Sequence, residues 1–266
     1  MIKKILYIFI LLFTSISYSQ LSKTHYIPPL THAAEGNANA VDQWIYISTP
    51  STSPVNVSIL PVGGTAQTIT VQNNQPQKVQ ISTNGYSQLY VEANTTSQVM
   101  NNKGYIIDAD KPIYVSVRVN AGGFEGSDDS SAQAGALVTK GLDGLGRTFR
   151  VGTFNSQSNS ANFNNYLNFL SVMATEDNTT VNFTNNYTSG FVIENYSGQF
   201  PINNIQLNRG ESYVIALELK DTSTATTQDA VTRNRDGLIG TLIQSDKDIV
   251  VNSGSSNGSF HNGGAR

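Results

Sequence analysis

Gly104-Tyr105-Ile106-Ile107-Asp108-Ala109-Asp110-Lys111-Pro112-Ile113-Tyr114-Val115 returns as Gly240-Thr241-Leu242-Ile243-Gln244-Ser245-Asp246-Lys247-Asp248-Ile249-Val250-Val251. Half of the aligned positions are identical, and the rest mostly keep their polar or apolar character. Each copy reads as an apolar strand, a polar Asp-Lys turn and a second apolar strand. Duplicated hairpins point to repeated β modules, an architecture used more for binding and spacing than for catalysis.

Outward from these stretches, short β-branched and aromatic runs alternate with turn residues, which reads as antiparallel β structure. Gln43 to Ser48 puts Trp44 and Tyr46 on one side and Ile45 and Ile47 on the other. Val55 to Ile59 alternates apolar and polar, and Gln67 to Val71, Lys78 to Ser82 and Gln88 to Glu92 continue the pattern. Ala132 to Leu142 comes nearest to a helix, but glycines in and beside it keep any helix short.

Further correspondences follow. Ile45-Tyr46-Ile47, a turn and Val55-Asn56-Val57 match Ser171-Val172-Met173, a turn and Val181-Asn182-Phe183. Lys78 to Val91 resembles Gln206 to Leu217. The second copy is longer, and the polar stretch Lys220 to Asp236 reads as the loop that houses the excess. The expected fold is all-β, with two tandem related antiparallel β-sandwich modules. The divisions are a signal peptide at 1–19, a lead-in at 20–39, modules at 40–122 and 147–258, a Gly/Ser/Asp-rich join at 123–146 and a truncated tail at 259–266.

The basic start Met1-Ile2-Lys3-Lys4, the apolar run Ile5 to Phe13 and the small residues Ser17 and Ser19 form a secretory leader too short for a comfortable membrane span. The expected location is therefore outside the cell or on its surface, with no membrane span in the mature chain. Removing the leader takes the net charge from −3 to about −5. Nucleic acid, which needs a basic footprint, is thereby disfavoured as a partner. The chain has no cysteine, which excludes disulfides, thiolate catalysis and cysteine metal sites. Its histidines, His25, His32 and His261, lie near the two ends.

The second half carries recognisable phrases in order. They are Gly146-Arg147-Thr148-Phe149-Arg150-Val151, Ala174-Thr175-Glu176-Asp177-Asn178-Thr179-Thr180-Val181, Leu207-Asn208-Arg209-Gly210-Glu211-Ser212-Tyr213, and Gly240-Thr241 through Ser245-Asp246-Lys247 to Ser253-Gly254. This set resembles the N-terminal domain of the IgG Fc-binding protein family, over about 140 to 258. Similar domains stand near the start of large exported proteins of gliding bacteria. The family usually reads Asp-Lys-Pro where this chain has Asp248, although the first copy keeps Pro112. The resemblance implies binding or adhesion, and it carries no family binding residue over to these positions. Local physics accounts for the phrases as well: Glu176 to Thr179 and Asn208-Arg209-Gly210 supply turn residues that tolerate left-handed backbone.

Catalytic signatures fail on context. Gly254-Ser255-Ser256-Asn257-Gly258 matches G-x-S-x-G, but Ser259 to Gly264 cannot begin the helix a nucleophile elbow needs, and His261 lies too near to serve as a distant base. Gly141-Leu142-Asp143-Gly144-Leu145-Gly146 lacks the βαβ frame of a dinucleotide site and reads as a turn. Asp108 and Asp110 begin a calcium-loop spacing that Pro112 breaks; Asp128 and Asp129 are the better calcium candidates. The N-x-S/T sequons at Asn56, Asn94, Asn178, Asn182, Asn186 and Asn195 follow from composition. No catalytic residue and no cofactor is expected.

The expected function is a non-catalytic exported adhesion or recognition module, the N-terminal part of a larger protein, with an extracellular glycan or protein as ligand. The alternatives are a structural spacer and a polysaccharide-active enzyme, which would need a facing pair of carboxylates. The polar segments Gly122 to Gly146 and Lys220 to Asp236 are candidate contacts, with Tyr187, Phe191 and Tyr196 as possible aromatic platforms.

Overall fold

The structure is a computed structural model that describes residues 20–31, 42–83, 87–121, 133–152, 167–186, 191–218 and 236–255. The leader at 1–19 and the tail at 259–266 lie outside the described residues. The first half contains β1 (Ser22–Ile27), β2 (Leu30–Thr31), β3 (Asp42–Ser48), β4 (Val55–Pro61), β5 (Gln67–Val71), β6 (Gln77–Ser82), β7 (Tyr90–Val91), β8 (Val99–Met100) and β9 (Tyr105–Ala121). After these come β10 (Gln133–Val138), β11 (Gly146–Arg150), β12 (Leu167–Ala174), β13 (Thr179–Thr184), β14 (Ile202–Leu207), β15 (Ser212–Glu218) and β16 (Leu242–Ser255). Each strand of the expected alternating pattern forms, with Gln88 to Glu92 reduced to the two residues of β7. Ala132 to Leu142, which looked nearest to a helix, instead contains β10 and one 3-10 turn at Gly141–Gly144.

The fold is all-β and built twice. The first sheet runs β5-β4-β9-β3-β6, and the second runs β14-β13-β16-β12-β15 with β8 added at its edge. Position for position the order is the same. The irregularities repeat too. β1 slips on β9 between Ser22↔Ile113 and Thr24↔Asp108, and β11 slips on β16 between Gly146↔Ile249 and Thr148↔Gln244. The strands pair antiparallel throughout, apart from the short parallel pair β2 and β7.

The stretches that open the sequence argument are not hairpins. β9 and β16 each run unbroken through Asp-Lys. The first part of β9 pairs with β1 and β4, the second part with β3 and β10. Asp110-Lys111-Pro112 is therefore the corner at which one long strand leaves one half of a curled sheet for the other. A threonine holds each corner: Thr49 Oγ1 donates to the Pro112 carbonyl at 2.9 Å, and Thr175 Oγ1 to that of Asp248 at 2.6 Å. Where Asp248 replaces proline, Arg147 Nε donates to it at 3.0 Å.

Register also corrects the matching of the copies. Val57 pairs with Ala109 and Val181 with Ser245, so Val57 corresponds to Val181 and Val55 to Thr179. The connection at 175–178 is accordingly shorter than the one at 49–54. β6 corresponds to β15, because both flank the equivalent strands β3 and β12, so the likeness of Lys78 to Val91 with Gln206 to Leu217 is accidental. The extra length of the second copy lies at 185–201, between β13 and β14, where the first copy has only 62–66. It does not lie at Lys220 to Asp236. Polarity marks a loop but gives no relative length, and the true insertion hides apolar residues: Phe191, Ile193 and Phe200 are all buried.

Each half has its own core. Ile45, Ile47, Val57, Ile107, Val115 and Val117 centre the first, and Leu170, Val172, Val181, Phe183, Ile215 and Ile243 the second. Two smaller clusters join them. Tyr26, Val62 and Ile106 bury Met173, while Val91, Ala93 and Met100 pack on Phe169, Val214 and Ala216. Hydrogen bonds bind the seam as well: Ser97 N donates to the Val214 carbonyl at 2.7 Å, and Asn195 Nδ2 to that of Thr96 at 2.8 Å.

Candidate binding surface

Several sequence candidates lie outside the described residues: Asp128, Asp129, Tyr187, Ser256, His32, His261 and residues 220–235. Among those described, Phe191 is 3% exposed with its ring 5.7 Å from that of Phe200, and Tyr196 packs against the same core. Neither is an open platform. Asp108 accepts from Thr24 Oγ1 at 2.8 Å, and Asp110 from Asn56 Nδ2 at 3.4 Å. Both belong to cross-strand polar pairs. Gly141, at φ 59°, begins a turn that lies close to Ser22, as its sequence suggested. Among the described residues no three His, Asp or Glu side chains gather as a metal site, and no helix is long and apolar enough to cross a membrane.

A different surface stands out on the first sheet. Alternation along β3 sends Ile45 and Ile47 into the core and Trp44 and Tyr46 to the outer face. Register then supplies the neighbours. Trp44 lies between Gln80 and Arg118, and Tyr46 between Lys78 and Ser116. The cations lean diagonally onto the rings: Lys78 Nζ stands 4.4 Å from the Trp44 centroid and the Arg118 guanidinium 4.8 Å from that of Tyr46. Contacts of this kind contribute about 0.5–1 kcal/mol at exposed sites, which biases a flexible side chain towards the ring without fixing it. Beside them on the same face Asp42, 1% exposed, accepts from Trp44 Nε1 at 2.7 Å, Gln80 Nε2 at 3.3 Å and Asn120 Nδ2 at 3.4 Å. Trp44 is thus fixed at its nitrogen and packed at its face, on a rigid sheet.

The second copy shows what this face would otherwise carry. Phe169 stands where Trp44 does, Ser171 for Tyr46, Val214 for Lys78, Ala216 for Gln80 and Gly254 for Arg118. There the face is apolar or small, and it is buried against the first half. In the first copy the same face carries two half-buried aromatic rings flanked by two exposed cations. A guanidinium stacked like that of Arg118 can meet carboxylate or sulfate groups, and the rings supply amphipathic contact area. Sequence alternation pointed to the outward side of Trp44 and Tyr46. It could not place Lys78 and Arg118, which join them only through cross-strand register.

A protein-family model described as IgGFc binding protein matches residues 134–266, from β10 through the second sheet. No curated protein and no solved structure matches the chain. The Trp44 face lies on β3, β6 and β9, ahead of the matched half.

Proposed function

From the premise that this chain belongs to the IgGFc binding protein family, we propose that it is a non-catalytic recognition module. Carried outside the cell by its leader, it works in adhesion as the N-terminal part of a larger protein. Its modules centre on 40–122 and 147–258, and the first also takes in β1 and β10, which pair with β9. The observation that carries this reading is the exchange of the small, apolar face of the second copy for Trp44, Tyr46, Lys78 and Arg118 in the first. An exposed face that only had to stay soluble needs charge; it has no need of a tryptophan tied down by a buried carboxylate. The ligand is an extracellular protein or glycan with anionic groups, and immunoglobulin Fc is the first to try, by the family's description.

Trp44 is the single tryptophan, so its fluorescence reports directly on this face. Titration with immunoglobulin Fc, mucin and acidic glycans is expected to shift its emission for the true ligand. Lys78→Ala with Arg118→Ala should weaken that binding at least ~10-fold while the thermal midpoint changes little, because both side chains are exposed. Undiminished affinity in the folded double variant would overturn the assignment of this face. The packed seam between the halves favours a second role as a stiff spacer, in which the two sheets move as one piece.

A further inference from the structure

The first sheet carries a titratable side chain where the second carries none. His25 on β1 pairs with Ile107, and Phe149 on β11 pairs with Ile243, at the same point of the repeat. The imidazole has no exposed surface and ties three separate pieces of chain together. Its Nε2 lies 3.0 Å from the Ile113 carbonyl on β9 and 3.2 Å from the Ser22 carbonyl on β1. Carbonyls only accept, so Nε2 carries the hydrogen, and Nδ1 of the neutral ring accepts from the Thr139 hydroxyl. Thr139 follows β10 and opens the connection to β11, the passage from the first module to the second. The 3-10 turn in that connection is pressed against the same place. Leu142 N donates to Ser22 Oγ at 3.3 Å, and a Cβ at Gly141 would lie 3.4 Å from His25 Cε1.

We propose that His25 is a pH-sensitive latch which, while neutral, holds the connection from Thr139 to Leu145 against β1. A proton on Nδ1 turns that atom from acceptor to donor, and the Thr139 hydroxyl must then direct its hydrogen elsewhere. The Val115 carbonyl can take it at 3.5 Å, but already accepts from Thr139 N at 3.1 Å. The charge itself would sit in a buried site among carbonyls and a hydroxyl. Among the described residues, the charged side chains on the elements packed there are Lys23 on β1, Asp108, Asp110, Lys111 and Arg118 on β9, and Lys140 and Asp143 at the turn. Lys111 is half-buried and the others are exposed. Asp108 and Asp110 are engaged by Thr24 and Asn56, and Lys111 by Ser53. Tyr90 and Tyr105 of the same core stay neutral, because burial raises both pKa values. Burial of His25 lowers its own pKa, opposed by the two backbone bonds. Releasing the connection hydrates the ring and breaks few bonds, whereas β9 beneath it is paired on both sides. Acid therefore frees the join between the modules before it unfolds either sheet. This inference does not rest on the recognition role proposed above.

Hydrogen exchange at single amides, corrected for its intrinsic pH dependence, tests the latch. The released form binds the proton at the ordinary imidazole pKa of 6.5, and the latched form only at lower pH. Opening at Thr139 and Leu142 is therefore expected to grow below about pH 6.5 by up to ~10-fold per pH unit. At every pH it should exceed opening at Ile45 and Ile107, whose strands are paired on both sides, by at least ~10-fold. In His25→Phe, which places the residue of β11 on β1, opening at Thr139 and Leu142 should lose this pH dependence. Thr139 and Leu142 opening only together with Ile45 and Ile107 overturns the proposal, since the ring would then be hydrated by global unfolding alone. Opening at Thr139 and Leu142 that ignores pH, or keeps its pH dependence in His25→Phe, overturns it too. The comparison of amides and the pH profile need no variant, so they decide the matter even where His25→Phe does not fold.

Discussion

Gly104 and Gly240 occupy the same left-handed backbone, φ 91° and 81°, at the entry to the two long strands. Their surroundings differ. A Cβ at Gly104 would lie 2.6 Å from the Ile27 carbonyl oxygen and 2.3 Å from the Met173 methyl, whereas at Gly240 nothing stands within 4 Å. Gly240→Ala should therefore cost about 1–2 kcal/mol of backbone strain, and Gly104→Ala clearly more; urea unfolding of the two variants checks the order. Asn178 and Gly210 also adopt positive φ, at the two turns whose composition announced it. His25 was not legible. Fully buried, its ring meets Thr139 Oγ1 through Nδ1, while Nε2 lies 3.0 Å from the Ile113 carbonyl and 3.2 Å from that of Ser22. Burial holds its pKa below the ordinary imidazole value, and the bonds to Ile113 and Ser22 only partly oppose this. The unfolded chain thus takes up the proton first. Stability conferred by the neutral ring is complete above about pH 6.5 and declines below it by up to ~1.4 kcal/mol per pH unit, until the lowered native pKa is reached. In His25→Phe, which copies Phe149 at the equivalent place, this part of the pH dependence should vanish from unfolding curves.

Among the elements, the long shared strand teaches most about what a sequence can reveal. A polar Asp-Lys-Pro between apolar runs breaks the alternation in the same way whether the chain turns back or bends and continues. Only the pairing partners separate the two, and those lie far away in the chain. The duplication was legible because it needs no partner to be seen, whereas the exact matching of strands was not. A shift of two residues preserves the alternation of a strand, so Val55 could be set against Val181 as comfortably as against Thr179. The corner threonines give a test that is the same in both copies. Thr49→Val and Thr175→Val each remove one hydrogen bond to a corner carbonyl and should each cost about 1 kcal/mol; differential scanning calorimetry would show two similar drops in Tm.

Over the whole molecule the two sheets are joined more intimately than beads on a string. Met173, a residue of the second sheet with no exposed surface, is buried by Tyr26, Val62 and Ile106 from the first half. Heating is expected to give one calorimetric transition, and Met173→Ala should lower its stability by about 2–5 kcal/mol; two resolved transitions in the unmodified chain would refute this coupling. The sequence pattern showed two β modules but not their seam, because β7 and β8 are too short to carry alternation and the 3-10 turn between them, Ala93–Thr95, carries no period. The Trp44 face was half visible for the reason already given: alternation sorts sides, while register chooses neighbours. One consequence concerns the order in which the parts are made. A growing chain emerges N-terminus first, so β1 to β7, β9 and β10 can pair among themselves as soon as they are synthesised. The segment from Ala93 to Met100 cannot be completed then, since Ser97 waits for Val214 and β8 for β15. During synthesis it is the raw edge of a half-finished protein, open to proteases and chaperones until strand β15 arrives.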